Sequence, residues 1–590
     1  MLDISGEFIL VSMIRAWQYC YIMEMRVGVI GAGASGLPAI KCCIEEGLDV
    51  VCYEKTSEVG GLWNYRPGVR NVGATVMEST VVNTSKEMMT YSDFPPPENW
   101  PNFMHHTKVN QYLQLYAEKF NLLEKIQFNT QVNMVTRDIN DKYHVKLDSG
   151  KVEVFDKLMI CTGHHAEPYH PQLNDVHKFK GKIMHAQEYH NTKGFEGKDV
   201  FLLGIGNSAL DIAVDLAKIA KSVTISTRRG TWIFNRVSMY GMPYDTIYQT
   251  RYYDWLMDAI PWTVANDFME HRLNQRLDHE VYGLKPKHRF FQQHPTVNDA
   301  LANLICSGYI TVTEDIDTFT PNSVIVKNGR EFPCDIFITC TGYTFGFPFI
   351  DKDILDIQNH EVPLYKYVFP VDSSSISVIG LIQPIGSIAP ISEIQCRWTV
   401  KIFTDQITLP SKANMIEDIE KKKKIMKRRY FDSLKHTIQV DYIKYMDEIA
   451  DLIGCRPNIR KYLLSNPSFA VQLIMGPNFP YAYRLEGPNS WSEARKAIEE
   501  ASERIKRPLK NRQCQTKKHK YSSTKEYFRY ASLKWICGWA ILFSTIGALI
   551  TLSSSGISLT LYFVSLTIFL ILFSLLLIWF DMEYDMTSVI

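Results

Sequence analysis

The sequence predicts an α/β chain in which one nucleotide-binding unit is inserted into another and a hydrophobic anchor follows. Three observations predict it: a strand–glycine loop–helix pattern at residues 27–37, a second at 200–211, and two charge-free apolar stretches near the end of the 590-residue chain. A single core stops growing at about 250–300 residues, so several domains are expected.

In the first unit, Val27-Gly28-Val29-Ile30 reads as a short apolar strand running into Gly31-Ala32-Gly33-Ala34-Ser35-Gly36 and then a helix. In a G-x-G-x-x-G loop the first glycine permits the tight turn, the second lets the backbone approach a pyrophosphate, and the third lets helix and strand pack closely. The helix N-terminus adds free N–H groups and the positive end of a dipole. The next strand, Val50-Val51-Cys52-Tyr53, ends in Glu54, whose carboxylate is placed to accept hydrogen bonds from ribose hydroxyls. In Gly60-Gly61-Leu62-Trp63 the paired glycines allow a close backbone turn and Trp63 offers a flat ring. Asn83-Thr84-Ser85 supplies an amide that donates and accepts hydrogen bonds without titrating. Residues 107–123 show helical spacing of apolar positions. Lys157 to Gly163 reads as a buried strand ending in a glycine turn. His164 and His165 follow it and are expected to point in two directions, so no metal site is indicated.

The second unit is preceded by the pattern F-x-G-x-x-x-H-x-x-x-Y, from Phe179 to Tyr189. Val200-Phe201-Leu202-Leu203 then enters Gly204-Ile205-Gly206-Asn207-Ser208-Ala209, with alanine in the third glycine position. The following strand, Val223-Thr224-Ile225-Ser226, ends in Thr227-Arg228-Arg229 in place of an acid. Guanidinium groups there suit a 2′-phosphate and favour NADPH over NADH; a solvated strand end is the alternative reading. Two such units in one chain suggest a flavin and a nicotinamide brought together for hydride transfer. Asp335 to Tyr343 resembles the 157–163 strand, as though the chain returns to the first domain near residue 331. The aromatic-rich stretch 236–300 suits a helical cap, a membrane-touching surface or core packing alike.

The chain carries 46% apolar residues and a net charge of +1, which indicates a globular fold and no nucleic-acid partner. Its twelve cysteines are scattered without a C-x-x-C pair, the pattern of reduced, mostly buried thiols facing the cytosol. Residues 535–552 and 557–580 are apolar; the second is long enough to span a bilayer and the first is borderline, so one span or a hairpin of two remains open. Basic residues crowd 504–534, which by the positive-inside rule places the preceding chain on the cytosolic side. Residues 1–24 make a poor signal peptide and read as an extension of undetermined role. The expected domains are therefore a flavin unit over 25–187, an inserted nicotinamide unit over 188–330, a return with a C-terminal cap over 331–503, a basic linker over 504–534 and an anchor over 535–580.

In combination these motifs resemble the flavin-containing monooxygenase family, over about residues 25–503. The resemblance is also carried by Lys285-Pro286-Lys287-His288, Cys340-Thr341-Gly342-Tyr343, and Gly476-Pro477 with Tyr483-Arg484-Leu485, and the tail is similar to the anchor of the family's animal members. The related Baeyer–Villiger class carries Trp where Tyr189 stands, which argues for the heteroatom-oxidising branch. The resemblance implies FAD on Gly31, Gly33, Ala34, Ser35, Gly36, Glu54, Gly61, Leu62 and Trp63, with Gln383 close to the flavin. It implies NADPH on Gly204, Gly206, Ser208 and Arg228. Asn83 is implied as the active-site asparagine, with Asn207 on the nicotinamide side. Oxygenation of soft nitrogen or sulfur nucleophiles (amines, thioethers) by O₂ through a C4a-hydroperoxyflavin is the implied activity. An endoplasmic-reticulum membrane address with a cytosolic catalytic domain goes with it. Ketone-to-ester oxygenation, an NADPH oxidase releasing hydrogen peroxide, and a non-catalytic membrane-tethered flavoprotein are the alternatives.

Overall fold

Short, mostly buried strands build two parallel five-stranded sheets. The computed structural model describes residues 25–510 apart from 69–72, 74, 166, 239–240, 358–361 and 431–436. The expected extension 1–24 and both apolar tail segments lie outside the described residues. Among the described residues no helix is long and apolar enough to cross a membrane.

The first sheet runs in the order Ile376–Val378, Lys157–Ile160, Arg26–Ile30, Asp49–Tyr53, Ile126–Gln127, with every neighbouring pair parallel. The second runs Ile310–Thr313, Ser222–Ser226, Asp199–Leu203, Ile336–Thr339, Lys182–His185, again all parallel. Strands covered on both faces lose the polar alternation of a half-exposed sheet, and Ile336–Thr339 is buried at every position. Each unit has a three-stranded antiparallel meander leading into one strand of its sheet: Val132–Phe155 ahead of Lys157–Ile160, and Ile316–Pro333 ahead of Ile336–Thr339.

This pairing corrects the domain boundaries expected near residues 187 and 331. Lys182–His185 and Ile336–Thr339 both belong to the second sheet, so the chain crosses between Ile160 and Lys182 and returns between Thr339 and Ile376. The likeness of 335–343 to 157–163 has another cause. The two stretches occupy equivalent places, one in each unit, where the turn after the strand packs against that unit's own glycine loop.

The helix expected over 107–123 spans His106–Lys119, and the chain turns at Asn121, whose φ is 53°. Helix Ile388–Phe403 is buried along its whole length from Ala389 on. Its Glu393 accepts hydrogen bonds from the Ser92 N–H (2.6 Å), the Ser92 hydroxyl (2.8 Å) and the Arg484 guanidinium (2.8 Å). Arg484, 1% exposed, also meets Asp93, which meets Lys41 on helix Gly36–Glu45. A buried charge is tolerated when its partners saturate it, and this chain of pairs fastens the first loop's helix to the C-terminal part of the fold. The start of the expected basic linker is likewise docked: Arg504, in helix Ala494–Lys506, donates to the buried Glu87 at 3.0 Å.

Candidate active site

The first loop is built by steric necessity. Gly31 has a φ of 100°, a value that excludes side-chain-bearing residues, and a Cβ there would lie 2.7 Å from the Cys161 carbonyl oxygen. A Cβ at Gly36 would lie 1.8 Å from the Gly31 carbonyl oxygen. Gly33 meets Gly61 backbone to backbone: a Cβ on Gly33 would stand 3.5 Å from the Gly61 Cα. The Gly60 N–H donates to the Ala32 carbonyl at 3.1 Å, so the turn Gly61–Trp63 closes over the loop with Trp63 half-buried and Leu62 exposed.

Glu54 does more than await a ribose. Its carboxylate accepts from the Ala32 N–H (2.8 Å), the Thr56 N–H (2.9 Å) and the Thr56 hydroxyl (2.8 Å), and the residue is 5% exposed. Three of about four lone-pair sites are occupied, leaving one for a ligand. From the other side, the Tyr91 hydroxyl donates to the Ala34 carbonyl (2.8 Å), and the Ser35 and Ser392 hydroxyls share a hydrogen bond of 2.9 Å. The N–H groups of Gly33, Ala34 and Ser35 make no hydrogen bond among the described residues. Unpaired donors at a helix start, beside a glycine that keeps the approach clear, are the donor set a pyrophosphate needs.

The second loop repeats the geometry and leaves it open. Gly204 has a φ of 122°, and a Cβ there would lie 2.5 Å from the Cys340 carbonyl oxygen. Around Gly206 nothing lies within 4 Å of a Cβ position. Gly206 and Ser208 are exposed, as is Arg228, while Ala209 in the third glycine position is buried. The loop is bridged on one flank by the segment Thr296–Asp299. The Thr296 hydroxyl donates to the Ile205 carbonyl (3.1 Å), and the Val297 N–H donates to Asn207 Oδ1 (2.8 Å). Asn207, the first residue of helix Asn207–Leu216, thus commits its oxygen to the fold.

The same segment reaches the expected catalytic asparagine. Asp299 pairs with Arg236 at 3.0 Å, and the Arg236 Nη2 donates to Asn83 Oδ1 at 2.7 Å, with further bonds to the carbonyls of Val81 and Val82. A guanidinium only donates, so the atom of Asn83 facing it is the oxygen, and the amide Nδ2 keeps both hydrogens for another partner. Two residues on, the Ser85 N–H donates to Asp245 Oδ2 at 2.7 Å. Gln383, in strand Gln383–Ile385, accepts from Gln439 at 2.9 Å through its Oε1. The structure therefore links Asn83 and Asn207 through Arg236, Asp299 and Val297.

Residues 24–544 match a protein family described as flavin-binding monooxygenase-like. The chain belongs to that family. Among curated relatives it is similar to flavin-containing monooxygenase 5 of rat (Rattus norvegicus), with 46% identity over 501 residues, 83% of this chain and 94% of the relative. It is 41% identical over 502 residues to dimethylaniline monooxygenase (N-oxide-forming) 2 of Macaca mulatta, covering 83% of this chain and 94% of the relative. Its fold is that of the S-allyl-L-cysteine S-oxygenase from Allium sativum, at a TM-score of 0.57 and 23% identity over 80% of this chain and 98% of that one. A closed crystal structure of cyclohexanone monooxygenase superposes at a TM-score of 0.56 and 16% identity, covering 73% of this chain and 98% of that one.

Sequence reasoning about this flavin-binding monooxygenase missed Arg236, Asp245 and the segment 294–299. All lie in or beside a stretch without period or motif and meet Asn83, Ser85 or Asn207 only after folding. The rings of His164 and His165 have centroids 4.2 Å apart and are tilted by 44°, with His164 buried and His165 exposed. Burial pushes His164 well down, and among the described residues no cluster of three metal-ligating side chains forms. The signature residues His185 and Tyr189 spend their polar atoms on the fold: the Tyr189 hydroxyl donates to Asp215 (2.7 Å), and His185 caps the short turn Ala186–Glu188.

Proposed function

We propose that this chain oxygenates soft nitrogen or sulfur nucleophiles with O₂, holding FAD on the Gly31–Gly36 loop and NADPH on the Gly204–Ala209 loop. The supporting observation is the contrast between the two loops beside one oriented amide. The first loop is walled by Glu54, Gly61, Tyr91 and Ser392, as suits a resident cofactor. The second exposes Gly206, Ser208 and Arg228, as suits one that comes and goes. Bound together, the pair supplies a hydride donor and a two-electron carrier that activates O₂, one oxygen atom going to substrate and the other leaving as water.

The remaining work belongs to the protein. Unpaired N–H groups of Gly33, Ala34 and Ser35 take a pyrophosphate, and the last lone-pair site of Glu54 takes a ribose hydroxyl. Arg228 meets a 2′-phosphate. Asn83, its oxygen fixed by Arg236, presents two N–H donors that stabilise developing negative charge on oxygen without surrendering a proton. An amide at that point donates hydrogen bonds without a titrating proton that would discharge a reactive species early.

Asn83→Asp is the test. The change keeps size and removes the donor pair, and its carboxylate pairs with Arg236. Flavin content is expected to stay at the wild-type level, while product from a thioether falls at least about a hundredfold. A fully active Asp variant removes Asn83 from the reaction. Running a ketone beside the thioether separates heteroatom from carbon oxygenation.

The same reading extends to the tail. The apolar segments 535–552 and 557–580, preceded by a basic run, support anchorage in the endoplasmic-reticulum membrane with the catalytic part in the cytosol. Carbonate extraction of membranes checks it: the full chain stays with lipid, and a chain ending at residue 534 is released.

A further inference from the structure

Asp245 has no place in the scheme above, yet it grips the Asn83 turn. It opens the short helix Asp245–Tyr248 inside the inserted stretch. Its Oδ2 accepts the Ser85 N–H at 2.7 Å across 160 residues of sequence. The backbone ties it to Arg236, since the Tyr244 N–H donates to the Arg236 carbonyl at 2.8 Å. One turn of the insertion thus holds the other at two points, Asn83 by its side chain and Ser85 by its backbone.

We propose that Asp245 is a positioning residue for Asn83: it clamps the Ser85 N–H so that the asparagine amide stays where Arg236 orients it.

The energetics argue for a role beyond stability. Among the described residues Asp245 Oδ1 is buried without a hydrogen-bond partner, and burial pushes the carboxyl up to about 6 with no cation among the causes. The charged groups around it are engaged elsewhere. Arg236 binds Asp299 and Asn83, and Arg251, six residues on, pairs with Asp447. A buried, unpaired carboxylate costs more than an amide or an alkyl group of the same size. What the carboxylate supplies is a charge-assisted acceptor for the Ser85 N–H, a bond roughly twice as strong as a neutral one. On the far side, the Gln249 side chain donates to the Ile385 carbonyl at 3.0 Å, in the strand that carries Gln383. Among the described residues Gln249 Oε1 and Tyr442 OH are also buried without partners. The Asn83 turn is therefore held to the insertion from both sides: Arg236 takes the Val81 and Val82 carbonyls before Asn83, and Asp245 takes the Ser85 N–H after it.

The proposal rests on the reading that Asn83 serves the reaction, so the experiment carries Asn83→Asp alongside. Full-length holoenzymes of wild type, Asp245→Ala, Asp245→Asn and Asp245→Ser are compared for flavin per chain, KM for NADPH, and oxygenated product and hydrogen peroxide per NADPH. In Asp245→Ala, flavin content and KM stay within about twofold, while product per NADPH falls about tenfold and peroxide makes up the balance, as expected when a reacting group loses its placement. Asp245→Asn keeps an oxygen for the Ser85 N–H and stays within about twofold of wild type. Asp245→Ser, too short to reach, behaves as the alanine variant and replaces it if that one fails to fold. An alanine or serine variant as coupled as wild type overturns the proposal, as does an asparagine variant as uncoupled as alanine. If Asn83→Asp is itself fully coupled, the Asn83 reading fails. If Asn83→Asp is uncoupled and the short Asp245 variants are not, only the Asp245 assignment falls.

Discussion

The two glycine loops share a backbone and differ in everything around it. Each turns on a glycine with φ near 100° or above, backed by the carbonyl of a cysteine in a Cys-Thr-Gly turn. Around the first, four separate elements close in: Glu54 at the strand end, the Gly60-Gly61 turn, Tyr91 and the buried helix Ile388–Phe403. Around the second, a single segment crosses at Thr296 and Val297, and the strand end carries exposed arginine in place of buried glutamate. The difference teaches that the loop sets what kind of group binds, while its surroundings set how long the group stays. Enclosure costs a departing ligand many contacts at once, whereas an open cradle with a charged rim releases it readily.

The largest expected effect comes from filling the two loops in turn. Gly36→Ala puts a carbon 1.8 Å from the Gly31 carbonyl oxygen, so backbone must move at a cost of about 3 kcal/mol or more. The purified variant is expected to lack the yellow absorbance of bound flavin and to melt several degrees lower. Gly206→Ala meets nothing within 4 Å and keeps an ordinary φ of −79°. Its stability should stay within the roughly 0.5 kcal/mol typical of surface changes, with flavin retained and only the KM for NADPH raised. Equal loss of flavin in both variants would break the comparison.

A smaller contrast sets the strand ends against each other. Glu54→Gln turns one acceptor into a donor facing donors, so the Ala32 or the Thr56 N–H loses its partner at a cost of about 1–3 kcal/mol. Melting temperature and flavin content report it. Arg228→Ala leaves both unchanged and raises the KM for NADPH about 10- to 100-fold, the worth of a hydrogen bond to a charged group at roughly 1.5–3 kcal/mol. NADH, which lacks the 2′-phosphate, should not feel the change. If NADPH and NADH weaken together, Arg228 does not meet that phosphate.

How much of this was legible beforehand depends on the range of the interaction. The strand–loop–helix units were readable because glycine spacing answers to clashes within a few residues. The family resemblance, the two-unit α/β class and the flavin-binding monooxygenase assignment followed from those local patterns. Sheet membership of Ile336–Thr339 was not readable, because both units end a strand in Cys-Thr-Gly and the letters do not say which loop the turn packs against. Arg236 and Asp245 reach Asn83 and Ser85 across 153 and 160 residues, and no periodicity marks such partners. Helix Ile388–Phe403 shows the same dependence on range. Its Glu393, Gln395 and Arg397 are each buried and bonded to distant partners, Arg484, Tyr445 and the Tyr483 carbonyl respectively.

The most delicate test asks whether acid opens the second cradle before the first. His279, His288 and His294 all lie in the inserted stretch, and burial pushes each down to about 4, with Arg229 adding to the effect on His288. Their folded values lie below the unfolded value of about 6.5, so the unfolded chain takes up protons first. The stability they contribute is whole above pH 6.5 and is lost as pH falls toward 4. His279 shows the physical step. Its Nδ1 bonds Asn274 Oδ1 at 2.8 Å, and its bare Nε2 accepts the Ile233 N–H at 3.0 Å. Protonating Nε2 breaks that bond, and Ile233 pairs with Thr296, one residue before the Val297 that bonds Asn207. On the first side, burial opposes the charge of Asp93, but Arg484 and Lys41 outweigh it and hold its carboxyl below the ordinary range. That contribution is present above the unfolded carboxylate value of about 3.9 and is lost only below it. Between pH 6.5 and 4 the segments 231–234 and 294–298 should therefore gain hydrogen exchange, corrected for intrinsic rate, and so should the turn 161–164, because burial pushes His164 down as well, while helix Gly36–Glu45, tied through Lys41 to Asp93, stays protected. Exchange rising in that helix together with the inserted segments would mean that the two cradles open as one unit, and that the contrast in their enclosure does not extend to stability.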